Sequence, residues 1–443
     1  MHDNEASTGR RVTATVANAT ILGVRGDDRV ARFRGIQYAQ ANRFGLPNPS
    51  IPAGELDATN AGTICPQPPS RLESIMGPQR NEPRQDEDCL NLAIYTPDVD
   101  AKLPVMVWLH GGGFTSGGGT LDWYDGSRLA TDGDVVVVAV NYRIGALGYL
   151  LIDGVSPGNL GLHDQLCALT WVREHIHAFG GDPENITLFG QSAGALSISL
   201  ILDSPQCPSG IRRAIVQSSP GGSASYSRAE AKANGSAFAR HLGVDPRNAS
   251  IEQILAAQRT TAIEISQTRA TTPPFAPIHD MAPMLDAAPT PNDRPSDRHV
   301  ELIVGYTRRE GSAFAPATAP NRIAIENDVT AMFTDAAHAL ARRNIDAGVP
   351  VYIYRFDWSP SDDGFGATHC IELPFILGTE ESWRDSPMLA ATSWTTVNET
   401  GRDLRRAWTT FAHEGVLGPE WRPATSADDV GFVFSDTEIG TTA

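Results

Sequence analysis

Residues 186–195 constrain the fold more than any other part of the chain. They read I-T-L-F-G-Q-S-A-G-A, an apolar strand followed by G-x-S-x-G and then by a helical run over 195–202. When such a sequence turns sharply from strand to helix, the serine hydroxyl is lifted above the sheet, and the residues two before and two after it must be small. Gly190 and Gly194 meet that requirement. The segment therefore predicts Ser192 as a nucleophile at a helix N-terminus.

Apolar runs alternate with helical stretches from residue 92 onward. The apolar runs at 103–109 and 134–140 predict strands covered on both faces, and further strands are predicted at 185–189, 213–217, 301–305 and 349–356. Apolar residues at three- and four-residue steps from Leu162 to Phe179 predict a helix on the sheet, ended by G-G-D-P. This alternation predicts an α/β class fold, with a doubly wound, mostly parallel sheet flanked by helices and a small N-terminal β region. No composition shift marks a second folding unit, so residues 1–443 are expected to form one domain.

A glycine-rich loop, H-G-G-G-F at 110–114, directly follows the predicted strand 103–109. Successive glycines leave backbone N–H groups unshielded and permit unusual dihedral angles. Such donors stabilise the oxyanion of a tetrahedral intermediate. The predicted oxyanion-hole donors are Gly112, Gly113 and Ala193, the residue after the nucleophile.

The base that activates Ser192 is predicted to be His369. It lies in a glycine-rich loop, D-D-G-F-G-A-T-H-C, that follows the strand predicted at 349–356. A loop at the carboxyl edge of the sheet lets an imidazole reach over that edge. His279, in P-I-H-D, is the alternative.

Glu310 is the predicted acid that orients the base. It follows the strand predicted at 301–305 and precedes His369, which fits the chain order of serine, acid and histidine in this kind of site. Asp286 and Asp328 are alternatives with weaker placement.

These residues imply acyl transfer to water through an acyl-serine, chemistry that needs neither a metal nor an organic cofactor. The expected partner is a small-molecule ester. The formal net charge of −17, from 35 basic and 52 acidic residues, argues against binding to nucleic acid or to an anionic membrane surface. Without an apolar run of signal-peptide or membrane-spanning length, the expected location is cytoplasmic. The oligomeric state is left open.

The whole set of motifs resembles the type-B carboxylesterases, the family of the cholinesterases and the bacterial p-nitrobenzyl-esterase-like enzymes. The matching segments include F-R-G-I-Q-Y-A (33–39), E-D-C-L-N-L (87–92), H-G-G-G-F (110–114), G-N-L-G-L-H-D-Q (158–165), F-G-G-D-P-E-N-I-T-L-F-G-Q-S-A-G (179–194) and E-L-P-F-I-L-G (372–378). The resemblance implies an α/β-hydrolase fold with the site at the base of a gorge. It also implies a triad of Ser192, Glu310 and His369.

The sequence departs from the family pattern at three points. Gln191 stands where many members carry glutamate before the nucleophile, and Cys370 stands where the cholinesterases carry glycine. The segment between Glu310 and His369 is also short for the family, which predicts a more open or reshaped pocket. Many members form a disulfide where Cys65 and Cys89 lie, and the resemblance leaves that bond open here.

The sequence is also compatible with two other functions. One is a related acyl hydrolase that uses the same residues on thioesters, carbamates, lactones or activated amides. The other is a noncatalytic adhesion protein of the same fold, as some relatives are, although those lack the nucleophile that this chain keeps.

Overall fold

A computed structural model describes residues 9–81, 83–266, 272–284, 299–360 and 364–435. The strands in this part of the chain are β1 (Arg10–Val16), β2 (Ala19–Arg25), β3 (Ala31–Gln37), β4 (Ala39–Gln40), β5 (Asn48–Pro49), β6 (Glu55–Asp57), β7 (Asn91–Thr96), β8 (Leu103–Leu109), β9 (Val136–Val140), β10 (Leu151–Ile152), β11 (Ser156–Pro157), β12 (Gly181–Gln191), β13 (Ile211–Gln217), β14 (Glu301–Thr307), β15 (Val351–Phe356) and β16 (Phe432–Phe434).

Helices connect and cover these strands. The α-helices are α1 (Glu73–Met76), α2 (Ser127–Gly133), α3 (Gly145–Tyr149), α4 (Leu160–His175), α5 (Ala193–Asp203), α6 (Arg228–Leu242), α7 (Ile251–Ser266), α8 (Arg322–Asp346), α9 (Leu373–Ile376), α10 (Glu380–Trp383) and α11 (Trp394–Glu414). Short 3-10 helices cover Asp122–Tyr124, Ile176–Phe179, Gly221–Ala224, Glu310–Ala313 and Pro387–Leu389. None of the helices in the described ranges combines the length and the apolar character needed to cross a membrane.

One twelve-stranded sheet organises the molecule, in the order β1-β2-β3-β7-β9-β8-β12-β13-β14-β15-β16, with β6 beside β2. The strands from β9 to β16 in this order are parallel, and the N-terminal strands extend the sheet antiparallel. This is the doubly wound, mostly parallel sheet that the alternating pattern predicted. Of the predicted N-terminal β region, β1, β2, β3 and β6 belong to the same sheet, whereas β4 and β5 pair only with each other.

The core lies on both faces of that sheet. Along β9, Val136, Val138 and Val140 pack into one apolar cluster, while Val137 and Ala139 pack into the other. Successive side chains of a strand point to opposite faces, so a strand covered on both sides must be apolar throughout. The continuous valine run in the sequence is therefore explained by burial on both faces.

Element boundaries differ from the predicted ones where caps and turns decide them. Strand β9 begins at Val136 rather than at residue 134, because Asp134 ends α2 in a left-handed conformation with φ of 47°. The helix predicted from Leu162 to Phe179 is α4 followed by a 3-10 turn from Ile176.

A buried ion pair fixes the loop after β9 close to the glycine-rich loop. Arg143 donates from Nη2 to Asp164 Oδ1 at 2.6 Å and from Nε to Asp164 Oδ2 at 2.8 Å, and both side chains are almost fully buried. The neighbouring Tyr142 hydroxyl donates to the carbonyl of His110 at 2.6 Å. The pair therefore anchors a loop that supports the backbone before Gly111.

We expect Asp164→Asn to lower the free energy of unfolding by about 3–5 kcal/mol, because it leaves the Arg143 charge buried without its counter-ion. Urea unfolding followed by circular dichroism measures the change. Asp153→Asn, which breaks the exposed pair with Lys232, is the matched control and should leave the unfolding midpoint in place. An equally small effect at both positions would contradict the anchoring role.

Candidate active site

Ser192 occupies a strained turn between β12 and α5. Its φ of 58° and ψ of −120° lie outside the regions that most residues adopt. A Cβ on Gly194 would lie 1.9 Å from the carbonyl oxygen of Leu109, so only glycine fits there. The turn thus forces the serine into a position where its side chain faces a cavity, as the G-x-S-x-G pattern predicted.

The glycine-rich loop lies beside this turn at the end of β8. Gly112 has φ of 109°, and a Cβ there would lie 1.9 Å from the carbonyl oxygen of Ser116. Gly112, Gly113 and Ala193 all line the same cavity as Ser192. Ala193 is the first residue of α5, where backbone N–H groups have no partner within the helix. The three residues predicted to form the oxyanion hole therefore border the same space as Ser192.

His369 and Glu310 are fully buried and in direct contact. The Nδ1 atom of His369 bonds to Oε2 of Glu310, and the other carboxylate oxygen accepts from the backbone N–H of Thr307 at 2.7 Å. The rings of Phe314 and Phe333 pack against the imidazole, with centroids 5.1 and 4.8 Å away. Glu310 therefore holds the imidazole by one edge, and two aromatic rings hold its faces.

The loops that carry these two side chains are joined to each other. Arg309 and Thr368 form an isolated β-bridge, and the Arg309 N–H donates to the carbonyl of Ala367 at 2.9 Å. The Ser312 hydroxyl lies 2.8 Å from that of Thr368. These bonds join the loop that carries Glu310 to the loop that carries His369. The backbone therefore holds the acid next to the base.

Gln191 contacts the other edge of the imidazole. Its Nε2 atom lies 3.0 Å from Nε2 of His369. With the Nδ1 proton directed at Glu310, the histidine Nε2 is an acceptor and the glutamine amide donates to it. Among the hydrogen bonds of the described residues, none joins the Ser192 hydroxyl to His369. The hydrogen bond between Ser192 and His369 thus stays a prediction. The Gln191 amide competes with the Ser192 hydroxyl for the lone pair of His369 Nε2.

The alternative residues lie elsewhere. His279 is near Ser225, with 3.3 Å between Nδ1 and Oγ, and lines a neighbouring cavity. Asp328 is exposed on α8. Asp286 lies outside the described residues. The structure therefore groups His369 with Glu310, and it places neither His279 nor Asp328 with them.

A cavity of about 380 Å³ opens above Ser192. Much of its wall is apolar and comes from the segment around Phe314 and from α8. The residues that supply this wall are Phe314, Pro316, Ile325, Val329, Met332 and Phe333. Thr272 and Pro273, which belong to the proline-rich segment 271–295, line the same cavity. The part of that segment at 285–295 lies outside the described residues.

Sequence reasoning missed the side chains that shape this cavity. The aromatic rings of Phe314 and Phe333 carry no motif, and Arg71 stands in a loop without a recognisable pattern. It also passed over Glu372, although the segment 372–378 was among the matching ones. Only the presence of an acidic residue three positions after the predicted base could have drawn attention to Glu372.

Glu372 is a buried carboxyl whose two oxygens have no hydrogen-bond partner among the described residues. Burial, and then the nearby charge of Glu310, raise the pKa of Glu372 to about 7. As the pH rises, Glu372 therefore loses its proton at a lower pH in the unfolded chain than in the folded protein. The contribution of this group to the free energy of unfolding is fully present below the ordinary glutamate pKa and is lost as the pH rises to about 7.

For this reason we expect Glu372→Gln to gain stability over the wild type as the pH rises. The difference in free energy of unfolding should grow by about 2 kcal/mol between about pH 5 and about pH 8. Urea unfolding of both proteins across that range measures it. A difference that does not depend on pH would mean that the carboxyl is not held neutral in the folded protein.

The structure bears on one departure from the family pattern, at Cys370, and on the cysteine pair Cys65 and Cys89. Cys370 has φ of 75°, a left-handed conformation that favours glycine, which explains why a glycine fits this position in the cholinesterases. Cys65 and Cys89 are buried, free thiols, and a hydrogen bond to Cys65, together with burial, raises the pKa of Cys89.

The parallel sheet, the serine at a strand-to-helix turn and the glycine-rich loop after β8 define an α/β-hydrolase. The Carboxylesterase family matches residues 11–338 of this chain. The chain belongs to that family, in its type-B branch, and is a carboxylesterase.

Individual relatives agree with this assignment. The chain is 39% identical to a probable N-octanoylanthranilate hydrolase of Rhodococcus erythropolis, over 94% of this chain and 96% of the relative. It is 33% identical to the para-nitrobenzyl esterase of Bacillus subtilis, over 93% and 92% of the two chains. A solved thermophilic PNB esterase superposes with a TM-score of 0.81 at 29% identity, covering 96% of each chain.

Proposed function

We propose that the protein hydrolyses carboxylic esters through an acyl-enzyme on Ser192, with His369 as base and acid and Glu310 as the residue that orients it. One observation carries the proposal. The strained Ser192 lines one cavity together with Gly112, Gly113 and Ala193, while a buried imidazole bonds to a carboxylate behind the aromatic part of the cavity wall. The continuous sheet from Arg10 to Phe434 supports a single catalytic domain over residues 1–443.

In the first step, His369 Nε2 takes the proton of the Ser192 hydroxyl as Oγ attacks the ester carbonyl. The carbonyl π electrons move onto the oxygen, and the N–H groups of Gly112, Gly113 and Ala193 bind the resulting oxyanion. The tetrahedral intermediate then expels the alcohol, which receives the proton from His369. Water repeats the same steps on the acyl-serine and releases the acid.

For this step the Ser192 hydroxyl must replace the Gln191 amide at His369 Nε2. The amide is neutral, so its displacement breaks a hydrogen bond and separates no ion pair. Catalytic hydrogen bonds often tighten only when substrate is bound. We propose that binding of an ester brings about this exchange.

A second candidate is an acyl hydrolase that acts on amides. The name of the Rhodococcus relative, an N-octanoylanthranilate hydrolase, describes cleavage of an N-acyl bond, and that relative matches nearly the whole chain. The same triad chemistry serves both bonds, since only the leaving group differs.

A matched panel tests the proposed function. p-Nitrophenyl esters of increasing acyl length, compared with the p-nitroanilides of the same acids, report the acyl optimum and the preference for ester over amide. We expect higher kcat/KM for the esters, with an optimum at a length that fills the apolar wall. Turnover of the anilides alone would favour the amidase alternative.

A further inference from the structure

The active-site cavity contains a cation that the proposed mechanism does not use. Among the described residues that line the cavity, Arg71 is the one ionisable side chain. Its Nη2 atom is so close to Gly113 that a methyl group on this glycine would lie 2.9 Å from it. The guanidinium thus sits beside an amide donor of the proposed oxyanion hole.

The guanidinium has no counter-ion in the described part of the chain. The side chain is reached by solvent, and the surrounding protein lowers the pKa of Arg71 by desolvation, with no carboxylate acting on it. By contrast, Arg80, which follows helix α1, pairs with Glu381 at 2.9 Å and with Asp385. Arginine guanidinium groups remain protonated in proteins, so Arg71 presents an unneutralised charge to whatever enters the cavity.

This charge is unusual in its setting. The chain carries 52 acidic against 35 basic residues, yet it places a lone cation against an otherwise uncharged wall. Because the Arg71 side chain is also exposed to solvent, its charge is accessible to an incoming ligand. A guanidinium offers two parallel N–H donors that match a carboxylate. A single cation in an apolar cavity balances one negative charge, which favours a monocarboxylate over a dianionic phosphate.

We propose that Arg71 binds a carboxylate carried by the substrate, so that the preferred substrates are esters with a carboxylate group close to the scissile carbonyl. The inference rests on the proposed ester hydrolysis and names its substrate class. In this arrangement the carbonyl oxygen binds at the amides of Gly112 and Gly113, and the carboxylate binds to the neighbouring guanidinium. Arg71 therefore acts in binding and selection, without taking part in bond breaking.

Two substrate pairs test this and locate the carboxylate. Mono-p-nitrophenyl glutarate against p-nitrophenyl pentanoate places it on the acyl side, and 2-carboxyphenyl hexanoate against phenyl hexanoate places it on the leaving group. The readout is the ratio of kcat/KM, carboxylated over neutral, for each pair. In Arg71→Gln we expect this ratio to fall by about tenfold to a hundredfold in at least one pair.

Further variants separate charge from shape. Arg71→Met keeps the apolar stem and should give the same loss, whereas Arg71→Lys should retain part of the ratio. Arg80→Gln, which removes a charge outside the cavity, should leave the ratio as in the wild type. If kcat/KM falls equally for the carboxylated and the neutral esters, the ratio is unchanged in both pairs and the proposal is wrong. Arg71 would then act on the oxyanion loop and not on the substrate carboxylate.

Failure of the proposed function would look different. In that case the wild type would turn over none of the four esters, or Ser192→Ala would turn them over as well as the wild type. The inference about Arg71 fails only when the wild type hydrolyses esters through Ser192 and the ratio does not depend on Arg71.

Discussion

Ser192→Ala is expected to reduce kcat for p-nitrophenyl ester hydrolysis by about 10⁴- to 10⁶-fold while the protein remains folded. The loss is this large because the substitution removes the atom that forms the acyl-enzyme. Alanine keeps the backbone turn and removes only the hydroxyl that faces the cavity. The measurement is steady-state turnover of purified wild type and variant, with circular dichroism to compare their folds.

The matched control is Ser199→Ala on the same helix. Its hydroxyl donates to the carbonyl of Ala195 at 3.3 Å, away from the cavity above Ser192. Turnover of this variant should match that of the wild type. If Ser192→Ala turns over the ester at a rate comparable to that of the wild type, Ser192 is not the nucleophile and the proposed mechanism is wrong.

Glu310→Gln is expected to lower kcat by about 10³- to 10⁴-fold with little change in KM. The carboxylate fixes the Nδ1 proton of His369 and stabilises the imidazolium that forms when the serine proton is taken. An amide of the same size can donate to Nδ1 and so favour the wrong tautomer. The backbone N–H of Thr307 still finds an acceptor in the glutamine oxygen, so the loop should keep its shape.

Asp328→Asn provides the comparison for the acid. This exposed residue on α8 was an alternative candidate in the sequence, and its substitution should leave turnover unchanged. A large loss at Asp328 together with a small loss at Glu310 would reverse the assignment of the acid.

The fold could be predicted where the pattern is local. Strand β9 is apolar at every position, a pattern that is required only of a strand buried on both faces. The bounds of β8 agree with the prediction, since a simple apolar run is followed directly by the glycine-rich loop at 110–114. Boundaries set by caps were missed, as at Asp134, because a left-handed conformation leaves little trace in composition.

The residues of the site also differ in how far the local sequence predicts them. Ser192 and the glycine-rich loop are marked by contiguous motifs whose steric demands are strict. The contact between His369 and Glu310 depends on loops that only the folded sheet brings together, so chain order could suggest it without supplying a distance. Arg71 and the hydrogen bond from Gln191 to His369 could not be predicted, because each depends on how one flexible side chain is directed.

Labelling with a radioactive or mass-tagged organophosphate tests the central claim most directly. The reagent phosphorylates an activated serine beside an oxyanion hole, and peptide mass spectrometry identifies the modified residue. We expect one adduct per chain, on the peptide that contains Ser192, with loss of activity in proportion to labelling. A stoichiometric adduct on any other residue, or full activity after Ser192 is modified, would contradict the account.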